Sequence, residues 1–592
     1  MKKIVLCKVF ILLMYLVSLN NLHAQTLLRE VSLKKQIENS SLVVEGKVVS
    51  KKSFWDANNQ HIYTANTIEV YKVFKGEPVA VIEVITPGGT VGLSAEMVSP
   101  SLKLNNDEVG VFTLYNNNIA MKSYEKTSLK QFQAYGSSQG FYKYNLYDNL
   151  AVNTFNKKNG IASNFYDEIM GYTKFTYIEM SNFDTQSIYL KSTQGKELLA
   201  PGSITFTPTT ITAGTKSVLT INGTGFGATK GKVSFRNADD GGATFIDAFN
   251  TQILEWGNTQ IKVEVPSKAG TGAIVVTDAS SASKQSSNSL TILFSEINVV
   301  QDEGNVAYRA QHVNDNNAGG YTWQMFTDFN NNANAKAAFL RAFNSWRCTT
   351  GINWVIGAST TNDVADLDGI NVVRFDNGAE LGPTELGRCT TYFNGCGTGT
   401  NLNWYVSELD IVFDDTTDWN FGPAGTPAVI GKYDFESNAL HELGHGHALG
   451  HVISDNDIMN YALQTAIDRR VLNANNIAAA NAIQSRSISS IVCLRPLLTN
   501  HSCSLGVEEE ALNNSITIYP NPTNGQFFIK NNLSVNLDKI LIHDVSGRLI
   551  SELDTSNGTQ TITINLSGVS KGLYFMRILS GTTEITKKIL VE

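Results

Sequence analysis

Four of the nine histidines in this 592-residue chain, His441, His445, His447 and His451, fall within the single stretch NALHELGHGHALGHV (438–452). Ala439, Leu440 and Leu443 favour a helix there, and Asp434 or Ser437 can cap its start. Positions i and i+4 share one face of a helix, so His441 and His445 can aim two imidazole nitrogens at one metal ion. Glu442, on the adjacent face, then comes close enough to touch a water on that metal, the HExxH arrangement of a zinc hydrolase. A catalytic zinc usually takes three protein ligands and keeps a fourth position open. His451, ten residues past His441, is the best third ligand. A continuous helix would carry it away, so the chain must turn after about Ala448, and Gly450 can permit that turn. His447 stays open as a minor rival ligand. The chemistry expected of such a set is hydrolysis. Zinc polarises a scissile carbonyl and lowers the pKa of its water towards about 7, while Glu442 takes the water's proton and passes it to the leaving amine. A site for storing metal would not need a base between its ligands.

Positioning these residues falls to a mixed α and β segment, residues 295–490. AKAAFLRAFNSW (335–346) carries Ala338, Phe339, Ala342, Phe343 and Trp346 on one helical stripe, and strand-like GINVVRF and SELDIVFDD are interleaved with it. Trp346, Trp354, Trp404 and Trp419 read as core, and His312, His501 and His543 as surface or turn residues. The rest of the chain is β in character. Residues 25–195 form a β-barrel or sandwich from SLVVEGKVVS, NTIEVYKVFKG and VAVIEVITPGG. Residues 200–294 are short strands at regular spacing, the pattern of a compact sandwich, and 511–592 are strands again after a connector, 491–510. The fold class is therefore multidomain: one α+β domain flanked by all-β domains.

Three segments resemble known families. SVLTINGTGFG, with Gly223, Gly225 and Gly227, together with Pro208 and IKVEVPSKAGTG, resembles the IPT/TIG immunoglobulin-like domains, which implies a spacer or a carbohydrate- or protein-contact role. Tyr519-Pro520-Asn521-Pro522-Thr523 with Gly525, then Asp544 to Arg548, Lys571 to Tyr574 and Lys587-Lys588-Ile589, is similar to the type A C-terminal sorting domain of the type IX secretion system. That implies export through the outer membrane, to a secreted or cell-surface location, with the secretion machinery as a partner. HELGHGHALGH with its downstream methionine resembles the metzincin metallopeptidases, nearest the matrixin and reprolysin-like groups, and so implies a zinc endopeptidase acting on protein or peptide substrates. The family's Met-turn then falls on Met459, the family's glycine on Ala448, and SELDIVFDD on the edge strand that binds substrate. Tyr461 takes the place of a tyrosine that contacts the metal or the oxyanion. Without the resemblance, Met459 is a core filler and Tyr461 a packed tyrosine. Matrixins are often held latent by a propeptide thiol on zinc. No cysteine lies between residue 25 and Cys348, so inhibition by the first β region would need another ligand or a blocked cleft.

MKKIVLCKVFILLMYLVSLNNLHAQ has the layout of a secretory signal peptide cleaved after Ala24, or else of an uncleaved anchor. With the signal removed, no transmembrane span is expected. Cys348, Cys389, Cys396, Cys493 and Cys503 then remain. Five allows at most two disulfides in one chain, with several pairings open, among them Cys493–Cys503, Cys389–Cys396 and longer links through Cys348. Net charge −8 and pI about 5.7 argue against a nucleic-acid binder. Asp414, Asp415 and Asp418 could bind calcium, but they read first as a solvated turn. A second function class stays open: a surface adhesin or glycan-binding protein whose metal site does no chemistry.

Overall fold

The structure, a computed structural model, describes residues 29–121, 127–190, 203–301, 305–378, 380–382, 384–422, 428–503, 512–513, 515–531, 537–555, 561–580 and 583–592. The expected signal segment and its Cys7 lie outside them. The first module closes as a barrel. Strands Leu42–Trp55, Ile62–Lys75, Val81–Pro87, Lys130–Ala134 and Val109–Asn116 pair in that order, and the last returns to the first. Their alternating Val, Ile, Leu and Phe side chains fill the interior. A hairpin of two short strands, β1 (Gly89–Val91) and β2 (Ser94–Ser99), leaves this barrel and joins another sheet altogether.

The second module is a sandwich. One sheet is built from Thr205–Thr207, Val218–Asn222, Gln260–Glu264 and Ile253–Trp256, and the other from Phe245–Asp247, Lys232–Asn237, Ala269–Thr277 and Ser283–Gln285. Leu219, Ile221, Phe226, Val233, Phe235 and Val276 meet between them. At the far end of the chain a second sandwich forms around Phe527, Ile529, Met576, Ile578 and Ile589.

The α+β domain is built on β3 (Tyr321–Met325), β4 (Trp354–Ile356), β5 (Asn371–Phe375), β6 (Gly387–Thr398) and β7 (Asn401–Phe413). Their order is β4-β3-β5-β7-β6, continued by β2 and β1 from the first module. Strands β3, β4, β5 and β7 pair in parallel. β6 runs antiparallel to β7 and is the domain's own edge. SELDIVFDD therefore lies in β7, an interior strand between β5 and β6, and is not the edge. Its near-continuous burial, Leu409 to Phe413, is the signature of a strand covered on both faces.

Helix α1 (Ala333–Thr350) lays the expected stripe of Ala338, Phe339, Ala342, Phe343 and Trp346 against α2 (Phe435–Gly446). A third helix, α3 (Ala474–Ser489), follows the site. The four tryptophans named above are buried, as expected. His312 is not a surface residue. It is wholly buried, 5.8 Å from the His447 ring, and burial holds its pKa down to about 4. The disulfides are the long ones, Cys348–Cys503 and Cys396–Cys493, with Cys389 free and buried. Each ties the segment after α3 back to the sheet-and-helix body. His501, in that same segment, donates its backbone N–H to Gly351 O, and His543 lies on a strand of the terminal sandwich.

Candidate metal centre

Every residue of α2 is buried, which is unusual for a helix carrying two histidines and two glutamates. Asp434 caps it, accepting the Ser437 N–H at 2.9 Å, and Trp346 Nε1 donates to Leu440 O at 2.8 Å. The helix is thus fixed at its start and its middle. It ends at His447, and the chain reverses at Ala448, which takes a left-handed φ of 65°. The turn is therefore made by Ala448 itself and not by Gly450, whose φ is not positive. Gly450 instead pairs with Ser295 of the second module, where a Cβ would press on Ser295 Oγ at 2.7 Å.

The reversal brings the three expected ligands together. Ring nitrogens of His441, His445 and His451 lie within 4.8 Å of one another. In each ring Nδ1–H donates to a fixed acceptor: Ile458 O at 2.7 Å for His441, Leu449 O at 2.9 Å for His445, and Asp239 Oδ1 at 2.8 Å for His451. Such bonds fix the tautomer and leave the Nε2 lone pairs to face inward. Nε2 of His441 and of His451 is buried with no hydrogen-bond partner among the described residues. Burial, then the neighbouring rings, pushes the pKa of His441 well below its usual value, and burial with His451 brings His445 to about 3. Three converging ring nitrogens, two of them without a partner among the described residues, fit a divalent metal of the zinc class, which needs deprotonated ligands.

His447 points elsewhere. Its ring packs on Trp346 and Trp354, with Nε2 3.2 Å from Thr350 Oγ1. Glu442 is fully buried beside Cys389 of β6. The Cys389 amide lies near enough to favour its anion, yet neither carboxylate oxygen has a partner at hydrogen-bond geometry among the described residues. Burial, and then the charge of Glu385, pushes its pKa well above the usual carboxylate range.

Met459 lies directly under the helix: a Cβ on Gly444 would overlap its Sδ. The loop that carries it is tied down at Asp457, which accepts the Met459 N–H and the side-chain amides of Asn473 and Asn476 at the start of α3. Tyr461 reaches the same region from the loop after Met459. Its ring packs under Gly241, on the wall of a cavity of about 790 Å³ that it shares with His445, His451, Asp239 and Ser99.

Two partners of the centre were not legible in the sequence. Asp239 lies 212 positions before His451, in the turn RNADDGG of the second module. It also pairs with Lys268 at 3.1 Å. Burial opposes its charge, but Lys268 and His451 outweigh that and hold it well below the usual carboxylate range. Ser99 comes from the first module, with Oγ 3.0 Å from His445 Nε2. No local pattern marks either one, since only the tertiary fold brings them to the site. The aspartates considered for calcium have other duties. Asp414 pairs with Arg29, Asp376 accepts the Asp415 N–H at 3.0 Å, and Asp418 meets Lys432 at 2.8 Å. Asp376, Asp414 and Asp415 still form an acidic group.

Residues 517–592 match the family of secretion system C-terminal sorting domains, and residues 203–294 match the IPT/TIG domain. The sorting domain marks the protein for export, to the cell surface or beyond it. No helix among the described residues is long and apolar enough to cross a membrane. A cyclomaltodextrin glucanotransferase of Paenibacillus macerans is 38% identical over 78 residues, 13% of this chain and 10% of that protein. The chain thus matches about a tenth of that relative's length. A DUF3244 family protein of Bacteroides vulgatus with an immunoglobulin-like β-sandwich fold is similar over 14% of this chain and 88% of its own, at 21% identity and a TM-score of 0.13.

Proposed function

We propose that the protein is an exported zinc-dependent endopeptidase of the metzincin type, with His441, His445 and His451 as metal ligands and Glu442 as general base. The observation that carries this reading is the convergence of three ring nitrogens, each held in the ligating tautomer, beside a buried carboxylate without a hydrogen-bond partner among the described residues. A storage site gains nothing from such a carboxylate. Three further features support the reading: the antiparallel edge strand next to Glu442, the methionine loop beneath the helix, and the exported location.

Zinc in the site supplies Lewis acidity, polarising a carbonyl and making water easier to deprotonate. The protein's own residues do the rest. Ile458, Leu449 and Asp239 hold the three rings in orientation. Glu442 accepts a proton from the attacking water and delivers it to the leaving amine. Its raised proton affinity suits a group that must hold a proton between those two moments. The N–H and C=O groups of β6 align an extended peptide across the site by strand addition.

The experiment is hydrolysis of casein or gelatin by the purified chain, with and without chelator, beside Glu442→Ala. Cleavage is expected to be chelator-sensitive. The variant is expected to keep one zinc per chain and to lose activity by about two to four orders of magnitude, the range of general acid–base catalysis. Unchanged proteolysis in Glu442→Ala refutes the reading. Absence of proteolysis in every form, including one in which the strand pairing on β6 has been opened, leaves the adhesin with a non-catalytic metal site.

A further inference from the structure

The strand that carries Ser99 to the histidine cluster does more than touch it. β2 pairs antiparallel with β6 over six residues, Ser94–Ser99 against Asn394–Cys389. Gly395 donates its N–H to Leu93 O at 2.8 Å. Hydrogen-bonded pairs alternate along an antiparallel ladder, so Ala95, Met97 and Ser99 are the residues whose backbone groups bond to β6. An extended stretch of the first module thus fills the sheet edge that flanks Glu442, and its last residue places a hydroxyl on His445 Nε2, the atom that metal binding requires.

Contacts across the boundary are specific and partly buried. Glu96, itself buried, accepts the Ile62 N–H and meets His61 Nδ1 at 3.1 Å, while His61 Nε2 lies 3.1 Å from Asp366 of the α+β domain. The Tyr392 hydroxyl of β6 also reaches His61 Nδ1, at 3.1 Å. On the other arm of the hairpin, Thr90 Oγ1 donates to Val300 O at 2.8 Å.

We propose that Ser94–Ser99 is a built-in substrate mimic and that the first module is an inhibitory prodomain. It occupies the edge that an extended polypeptide needs and sets Ser99 against a ligand, until the module is displaced or cut away. This inference rests on the peptidase reading above and gives it a mode of regulation. The module contains no cysteine, so latency here works by a hydroxyl and a strand, with no thiol. The substrate class follows from the mimic: unfolded or extended polypeptide segments, able to lie along β6.

The test uses the full chain loaded with zinc. Met97→Pro deletes a ladder N–H and places a ring where β6 must pack. It is expected to raise kcat/KM for an unstructured fluorogenic peptide by about tenfold or more, the size of shift seen when a dominant competing state is removed. Hydrogen exchange of the Cys389, Thr391 and Phe393 amides, the ones that face β2, should quicken in parallel. A second variant, Val98→Cys with Thr390→Cys, joins a directly opposed, non-hydrogen-bonded pair whose Cβ atoms lie close enough for a disulfide. Locked, it is expected to be inactive, and mild reduction should restore hydrolysis, with the parent chain under the same reductant as control. This second variant decides alone if Met97→Pro does not fold. Unchanged kcat/KM and unchanged exchange in a folded Met97→Pro chain overturn the proposal, as does a locked chain that cleaves as fast as the reduced one. Freed β6 amides with zinc bound and no hydrolysis overturn the peptidase reading instead, and the prodomain role with it.

Discussion

At the scale of residues, the histidines do not orient themselves. Each ring is set by an acceptor on Nδ1, and the one for His451 comes from a different module. Asp239 is the only carboxylate among those three acceptors, and a charged partner raises ligand basicity more than a carbonyl does. Asp239→Asn is therefore expected to weaken zinc binding by about 10- to 100-fold, the range for lost outer-shell partners. A chelator-competition titration checks this, and the Asn variant should bind the ion at the same stoichiometry as the parent. An IPT/TIG module acting only as a spacer would leave the affinity unmoved. Ala448 shows the converse case, a residue whose role was visible and whose conformation was not. The spacing from His441 to His451 demands a reversal, but Gly450 looked like the residue to make it. The backbone reverses at an alanine in a left-handed conformation, and the glycine serves a close approach to Ser295.

At the scale of elements, the helix that carries His441 and His445 was readable because its signals are local: an Asp cap, apolar residues at helical spacing, and histidines at i and i+4. The edge strand was not. SELDIVFDD reads as a strand and the resemblance places it at the edge, and only the pairing order shows that Gly387–Thr398 lies outside it. The apolar run in β7 is itself the clue, since an edge strand has less need of two buried faces. The packing behind the helix makes a pH prediction. His312 is wholly buried against Tyr321 and His447, and burial lowers its pKa to about 4. Unfolded, it titrates near 6.5. Below that value the unfolded chain binds a proton that the folded chain does not, so stability falls as pH drops from about 6.5 to about 4. The upper bound is about 3 kcal/mol, at 1.36 kcal/mol per unit. Thermal melts across that range should show a steeper acid decline for the parent than for His312→Gln. Equal slopes would remove His312 as a source of acid sensitivity.

At the scale of the whole molecule, three modules meet at one cavity. The barrel contributes Ser99, the IPT/TIG sandwich contributes Asp239, and the α+β domain contributes the rest. The division into modules was legible from the alternation of β-rich and mixed stretches, and the sorting domain from its own motifs. Their meeting at the site was not legible, because contacts across hundreds of positions leave no periodicity to read. The same holds for the disulfides. Short pairings were available, and the fold selects Cys348–Cys503 and Cys396–Cys493, which close loops of 155 and 97 residues and fasten the segment after α3 to the body that holds the histidine cluster.

The most direct measurement of the central claim is X-ray absorption at the zinc edge on the full chain carrying one equivalent of metal. The expected spectrum is that of three imidazole nitrogens at about 2.0–2.1 Å with oxygen completing the shell, losing one imidazole in His451→Ala. A shell of oxygens alone, as the Asp376, Asp414 and Asp415 group would give, or a spectrum that His451→Ala leaves unchanged, contradicts it.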